Sequence, residues 1–103
     1  MPNSFERRTM PSPEFDLSSG KKYAEEDFAK LAVGPDDVLI TAKKNELLEL
    51  AARAKKRVRV TLATGGDVEG RLRAETIAGE YTCVGMGNDE SISADNVRTI
   101  EIL

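Results

Sequence analysis

Hydrophobic and polar side chains alternate on both sides of a Gly65-Gly66 pair, and this pattern predicts a β-hairpin. In the run RVRVTL, Val58 and Val60 point to one side of the strand while the arginines point to the other. The second run, DVEGRLRA, alternates in the same way around a central Gly70. One face of the hairpin is therefore predicted to join the core and the other to be charged, and Gly70 is predicted to let the second strand bend sharply.

Two helices are predicted before this hairpin. Residues 23–33 have apolar side chains at helical spacing, acidic residues in the first turn, and Gly34-Pro35 as a stop signal. Residues 36–40 are expected to be a short extended or turn segment. Thr41 or Asn45 is the expected cap of a second helix. Its apolar stripe consists of Leu47, Leu48, Leu50, Ala51 and Ala54.

Three further strands are predicted after the hairpin. Residues 77–86 alternate, with Gly79 marking a turn, and residues 90–93 and 97–103 form two shorter runs separated by a corner at residues 95–96. Five short strands with turns about every eight to twelve residues are typical of a small barrel. The predicted fold class is therefore mainly β with N-terminal helices, in the form of a bent five-stranded small barrel.

Three stretches of different character divide the chain. Residues 1–20 contain three of the four prolines together with several serines and show no sustained period, which predicts a disordered N-terminal arm. Phe5, Met10, Phe15 and Leu17 are spaced apolar residues in this arm and leave open a short added strand or docking on a neighbouring subunit, although a flexible tail is the favoured interpretation. Residues 21–42 are expected to hold the short helix and a connector, and residues 43–103 the second helix and the barrel.

The composition is that of an ordinary globular domain and offers little for catalysis. The 103 residues include no histidine and one cysteine, Cys83, so the commonest general base is missing and a transition-metal site is not expected. No cofactor motif is present, so we expect a protein that is not an enzyme and that uses no cofactor. Without an apolar membrane span or a signal peptide, the expected location is cytoplasmic, with no membrane partner.

Basic residues are concentrated where the predicted barrel begins. The formal net charge is −3, yet residues 43–73 carry nine Lys and Arg against four Asp and Glu, whereas residues 74–103 carry one against six. Outward side chains of paired strands share one face, so the arginines of both hairpin strands are expected to converge. The candidate nucleic-acid-binding residues are Lys55, Lys56, Arg57, Arg59, Arg71 and Arg73. A solvated face that offsets the acidic C-terminal third is the alternative interpretation.

Residues 43–103 combine a helix with a Leu-Leu pair, a basic break, the pattern V-x-V-x-L-x-x-G-G-x-V-x-G-x-L and a terminal I-S-A-D-N-V-x-x-I. This combination resembles the Sm/LSm family of small β-barrels. The resemblance implies an N-terminal helix, a strongly bent five-stranded barrel and ring-forming assembly. Glu75–Glu80 and Ser93-Ala94 occupy the positions at which the family reads uridine, so the nucleotide-reading motifs are not matched. The chain is also similar to SH3-like barrels and, in fold pattern only, to the small bacterial Rho-binding antiterminator.

Two kinds of binding module remain open. The first binds RNA or DNA through the basic face, although Tyr81 is the only aromatic residue of the barrel region and single-strand binders usually stack bases on such rings. The second is a protein-interaction or assembly adaptor that does not bind nucleic acid. Under either, we expect a homo-oligomeric ring, because the last strand ends at Ile102-Leu103 without a covering element.

Overall fold

Six strands and two helices make up the described part of the chain, which covers residues 15–32, 37–85 and 87–103 of a computed structural model. In chain order they are β1 (Lys22–Tyr23), α1 (Glu25–Leu31), α2 (Asp37–Arg53), β2 (Arg57–Leu62), β3 (Asp67–Ala74), β4 (Glu80–Val84), β5 (Asp89–Ser93) and β6 (Val97–Ile102). A short 3-10 turn, Ala94–Asn96, separates β5 from β6.

The strands form one antiparallel sheet in the order β1-β6-β2-β3-β4-β5. The mainly β fold with N-terminal helices is therefore confirmed. The expected bent five-stranded barrel differs from the structure in two respects, because the sheet is open and β1 adds a sixth strand beside β6. A strand of two residues is too short to show a period of two in the sequence.

The alternating runs correspond closely to strands. The hairpin predicted around Gly65-Gly66 is confirmed as β2 and β3, with its apolar face turned to the core. The strand predicted at residues 77–86 is shorter than expected, because a turn ending at Gly79, with a φ of +86°, precedes β4. The strands predicted at residues 90–93 and 97–103 are β5 and β6, each within one residue of its predicted ends.

Gly70 lies where the backbones of β3 and β4 come very close together. It is buried opposite Val58, and a Cβ atom built on it would lie 2.3 Å from the carbonyl oxygen of Val84 and 2.7 Å from its carbonyl carbon. A Cβ on Gly85 would in turn lie 2.7 Å from the carbonyl oxygen of Glu69. The glycine at the centre of the second run is thus required by the contact between two backbones.

Helix α2 begins earlier than the sequence predicts. It starts at Asp37, so the expected caps Thr41 and Asn45 both lie inside the helix, and the predicted boundary between residues 42 and 43 cuts it. The interpretation of residues 37–40 as an extended or turn segment is therefore wrong. Ile40 is buried on the packed face of the helix, which shows that packing overrides the strand preference of this apolar run. Residue 36 and the predicted stop at Gly34-Pro35 lie outside the described residues.

The hydrophobic core lies between the helices and the inner face of the sheet. Its largest fully buried side chains are Phe28, Leu47, Leu48, Val58, Val60, Cys83, Val97, Ile100 and Ile102. Removal from water raises the pKa of the free Cys83 thiol. Within the described ranges, neither helix is long and apolar enough to cross a membrane.

Residues 15–23 cover part of the outer edge of β6. The Gly20 N–H donates to the carbonyl oxygen of Ile102 at 2.7 Å, and the Ile102 N–H donates to the carbonyl oxygen of Lys21 at 2.7 Å. Phe15, which the sequence places in the disordered arm, is only 6% exposed. The expectation that the last strand has no covering element is therefore wrong. The predicted N-terminal arm does not extend to residue 20, because its residues from Phe15 onward pack against the rest of the domain. Residues 1–14 of that arm lie outside the described residues.

The opposite edge of the sheet, β5, has no strand beside it among the described residues. The Ala94 N–H donates to the carbonyl oxygen of Gly79 at 2.8 Å. Because hydrogen-bonded residues alternate along an antiparallel pair, this bond shows which residues of β5 are bonded to β4. Every second residue of β5 therefore directs its backbone N–H and C=O away from β4, into the open edge. These residues are Asp89, Ser91 and Ser93.

Candidate nucleic-acid interface

Strands β2 and β3 carry the four candidate arginines on the solvent face of the sheet. Arg57 and Arg59 alternate with buried valines on β2, and Arg71 and Arg73 flank a buried leucine on β3. The register places Arg57 directly opposite Arg71, and Arg59 opposite Glu69. The structure therefore brings the four arginines to one face, as the alternation predicts, and it places a carboxylate among them.

Glu69 is the counter-ion at the centre of this face. Arg57 Nη2 donates to Glu69 Oε2 at 3.1 Å, and Arg59 Nη2 donates to Glu69 Oε1 at 3.1 Å. Arg59 Nη1 also donates to Glu101 Oε1 at 3.4 Å. The hydrogen bonds from Arg57 and Arg59 hold the pKa of the Glu69 carboxyl below its ordinary value, and the bond to Glu69 raises the pKa of Arg59. Arg57 and Arg59 are thus paired with acidic groups of the same face.

The sequence pattern places Glu69 on the charged side of β3 but does not show what it binds. Glu101 is 42 positions away from Arg59 and belongs to another strand, so only the register of β6 against β2 brings the two together. Pairing of this kind depends on tertiary structure, and a count of charges along the chain does not reveal it.

The other candidate cations have weaker pairing or none. Arg73 Nε lies 3.6 Å from Glu75 Oε2, and that carboxylate also accepts a hydrogen bond from the Thr82 hydroxyl. In the described part of the chain, three candidate residues form no ion pair with a carboxylate. They are Lys55, Lys56 and Arg71. Lys56 immediately precedes Arg57, which is itself opposite Arg71, so unpaired charge is present at the start of β2 and on β3.

Lys55 and Lys56 form the turn that ends α2. The Lys56 N–H donates to the Ala51 carbonyl oxygen at 3.1 Å, and the Lys55 N–H donates to the Ala52 carbonyl oxygen at 3.2 Å. These two bonds make a Schellman motif, in which Lys55 takes the left-handed position with a φ of +55°. Glycine is the residue usually found there, because a Cβ is unfavourable in this conformation. The sequence contains no glycine at this helix end, which is why the turn could not be predicted.

Aromatic side chains of the described residues are turned inward. Tyr81 is 3% exposed, and its hydroxyl donates to the backbone and side-chain oxygens of Asn45. Phe15 and Phe28 are buried, and Tyr23 is half-buried against them. The described surface of the sheet therefore offers no exposed ring on which a base would stack, and its means of contact are charges and hydrogen-bond donors.

Comparison of the chain with protein-family models, with curated proteins and with solved structures gave no match. In the described ranges, no three His, Cys, Asp or Glu side chains are grouped so that they could hold a metal ion. The arguments about function therefore rest on the geometry and the charge of the face formed by β2 and β3.

Proposed function

We propose that the protein binds the phosphate backbone of single-stranded RNA through the solvent face of β2 and β3. The observation that carries the proposal is the unpaired guanidinium of Arg71, which lies opposite Arg57, the residue that follows the unpaired Lys55 and Lys56 in the chain. Phosphate oxygens accept charge-assisted hydrogen bonds and supply the negative charge that these side chains do not receive from the protein.

The conformation of Lys55 supports this proposal. A lysine in the left-handed region costs free energy that a glycine would avoid, and such strain is characteristic of positions where the side chain serves a purpose. Binding through phosphates also agrees with the absence of exposed aromatic rings on the described sheet surface. The expected binding is therefore sensitive to salt and nearly indifferent to base sequence.

We also propose that the protein is a binding module of the Sm-like type, that it is not an enzyme and uses no cofactor, and that it is located in the cytoplasm. The arrangement of α2 followed by the five strands β2 to β6 supports an Sm-like chain path, although the sheet is open. The unmatched uridine-reading positions, Glu75–Glu80 and Ser93-Ala94, are consistent with contact to the backbone instead of the bases.

The test compares two arginines that differ in their position. Arg71→Ala removes an unpaired cation from the proposed face, whereas Arg53→Ala removes an exposed cation from α2, where it pairs with Glu49 at 3.5 Å. Binding of a mixed-sequence single-stranded RNA is measured by fluorescence anisotropy over a series of salt concentrations. Arg71→Ala is expected to reduce the slope of log K against log salt by about 0.7, the value for one phosphate contact on a single strand. Arg53→Ala is expected to leave the slope unchanged, and equal effects of the two variants would contradict the proposal.

A second candidate function is a protein-interaction module that uses the open edge of β5. The outward backbone groups of Asp89, Ser91 and Ser93 favour it, because an unpaired edge can accept a strand from another chain. The homo-oligomeric ring belongs to this candidate, and it requires a second free edge at β6. If RNA is not retained at low salt, while Arg71→Ala changes the mass of the protein in solution, the face of β2 and β3 is an assembly surface and the RNA proposal is wrong.

A further inference from the structure

The edge of β6 is occupied by the chain's own residues 18–23. Besides the two backbone bonds that join Gly20 and Lys21 to Ile102, the Ser19 hydroxyl donates to the carbonyl oxygen of Leu103 at 2.9 Å. The register of β1 continues this pairing with Tyr23 opposite Ile100. The cover reaches only the last part of β6, because β1 is two residues long whereas β6 has six.

An aromatic contact anchors this short segment. The ring of Phe15 meets the ring of Tyr23 edge-on, with centroids 5.3 Å apart, and lies 6.1 Å from the ring of Phe28 in α1. The Asp16 N–H donates to the Tyr23 hydroxyl oxygen at 2.6 Å, so the chain folds back over its own strand. Few backbone bonds and one cluster of rings therefore hold residues 15–23 in place.

The β6 edge beneath this segment can pair with an extended strand, because its outward backbone N–H and C=O groups recur at every second residue. Ile102 and, by the alternation of the ladder, Ile100 direct their N–H and C=O groups toward the covering segment. The open β5 edge of another molecule presents groups at the same spacing over five residues, a longer match than β1 offers. The charges are also complementary, because β5 carries Asp89 and Glu90 while Arg98 of β6 forms no ion pair among the described residues.

We propose that residues 15–23 are an intramolecular cap, and that the β6 edge beneath it is a binding site for the β5 edge of a second copy of this chain. The cap is tethered, so it competes at an effective concentration on the order of millimolar, which exceeds ordinary protein concentrations. The intact chain is accordingly a monomer at micromolar concentration. Displacement of the cap leaves one open edge of each kind on every molecule, and head-to-tail pairing of β5 with β6 follows. This inference does not depend on the proposal that the protein binds RNA.

The cap is opened by Gly20→Pro, which leaves β6 unchanged. Proline has no N–H to donate to Ile102, and its φ near about −65° is incompatible with the +94° of Gly20. Phe15→Ala opens the cap by a separate route, through the loss of the aromatic anchor. For both variants, light scattering should show a mass that rises with concentration from the 11.2 kDa of the monomer to at least twice that value. In dilute solution the Ile102 amide should exchange its hydrogen faster than in the parent.

A second substitution identifies the occupant. Ser91→Pro removes an outward N–H from β5 without removing a bond to β4, and edge strands tolerate proline. In the Gly20→Pro background it should restore the monomer, and on its own it should leave the monomer unchanged. The proposal is overturned if both cap variants stay monomeric up to about 1 mM although the Ile102 amide is exposed. It is equally overturned if that amide stays protected in both variants, or if the mass rises but Ser91→Pro does not reverse it.

Discussion

Lys55 offers a prediction in which stability and binding change in opposite directions. Its φ of +55° places an ordinary L-residue where glycine is preferred, at the left-handed position of the turn that ends α2. Lys55→Gly is therefore expected to stabilise the fold. The same substitution removes one of the unpaired cations of the proposed interface, so RNA binding should weaken.

The expected gain in stability follows from the backbone. The left-handed conformation costs a residue with a Cβ roughly 1–2 kcal/mol, whereas glycine makes the unfolded chain more flexible at a cost of about 0.4–1 kcal/mol. The net effect of Lys55→Gly is a gain of about 1 kcal/mol. Lys56 has no positive φ, so Lys56→Gly relieves no strain and only makes the unfolded chain more flexible. It should therefore destabilise the fold by roughly 0.5–1 kcal/mol. The difference between the two variants measures the strain at Lys55.

Urea unfolding and an RNA titration at several salt concentrations complete the comparison. Each variant has lost one lysine from adjacent positions, so each should flatten the slope of log K against log salt by about 0.7. The free energy of unfolding should rise for Lys55→Gly and fall for Lys56→Gly. If both variants are destabilised by the same amount, Lys55 is not strained and the argument from its conformation fails. If both keep the salt slope of the parent, these lysines do not contact phosphate.

Two further predictions concern Glu69 and Gly70. Glu69→Gln keeps the shape of the side chain and removes the charge that pairs with Arg57 and Arg59. Arg59 keeps its ion pair with Glu101, so the salt slope for RNA should steepen by about 0.7, for the one arginine that is freed, whereas Glu49→Gln on α2 changes the net charge equally and should leave the slope unchanged. An unchanged slope in Glu69→Gln would mean that Arg57 is not available to phosphate. Gly70→Ala places a Cβ 2.3 Å from the carbonyl oxygen of Val84 and so forces the backbones of β3 and β4 apart, and urea unfolding should show a loss of about 3 kcal/mol or more. Gly66→Ala is the control, since its φ of +79° is also unfavourable but its Cβ meets nothing within 4 Å, and an equal loss in the two variants would contradict the close-contact argument.

The sequence predicts those parts of the fold that depend on local periodicity. The β2–β3 hairpin follows from strict alternation around Gly65-Gly66, and the position of Gly70 in the second run indicates an unusual backbone requirement. The start of α2 could not be predicted in this way. The apolar run before residue 41 has the composition of a strand and becomes helical because it packs its buried face on the sheet.

The sequence predicts on which face of the sheet the arginines lie, but not which of them form ion pairs. Alternation is sufficient to put Arg57 and Arg71 on one face, but their neutralisation depends on the registers that bring Glu69 and Glu101 beside the arginines of β2. Residues 18–23 were missed for the same reason. Their place beside β6 depends on backbone partners about eighty positions away in the sequence, and no local pattern records it.

The salt dependence of RNA binding by the parent protein tests the central claim most directly. With Lys55, Lys56 and Arg71 as the unpaired cations, three phosphate contacts at about 0.7 each predict a slope of about −2 for log K against log salt on a mixed-sequence single strand. Strands of different base composition should give the same slope. Absence of binding at ~50 mM salt, or binding whose strength does not change with salt, would contradict the assignment of this face to RNA.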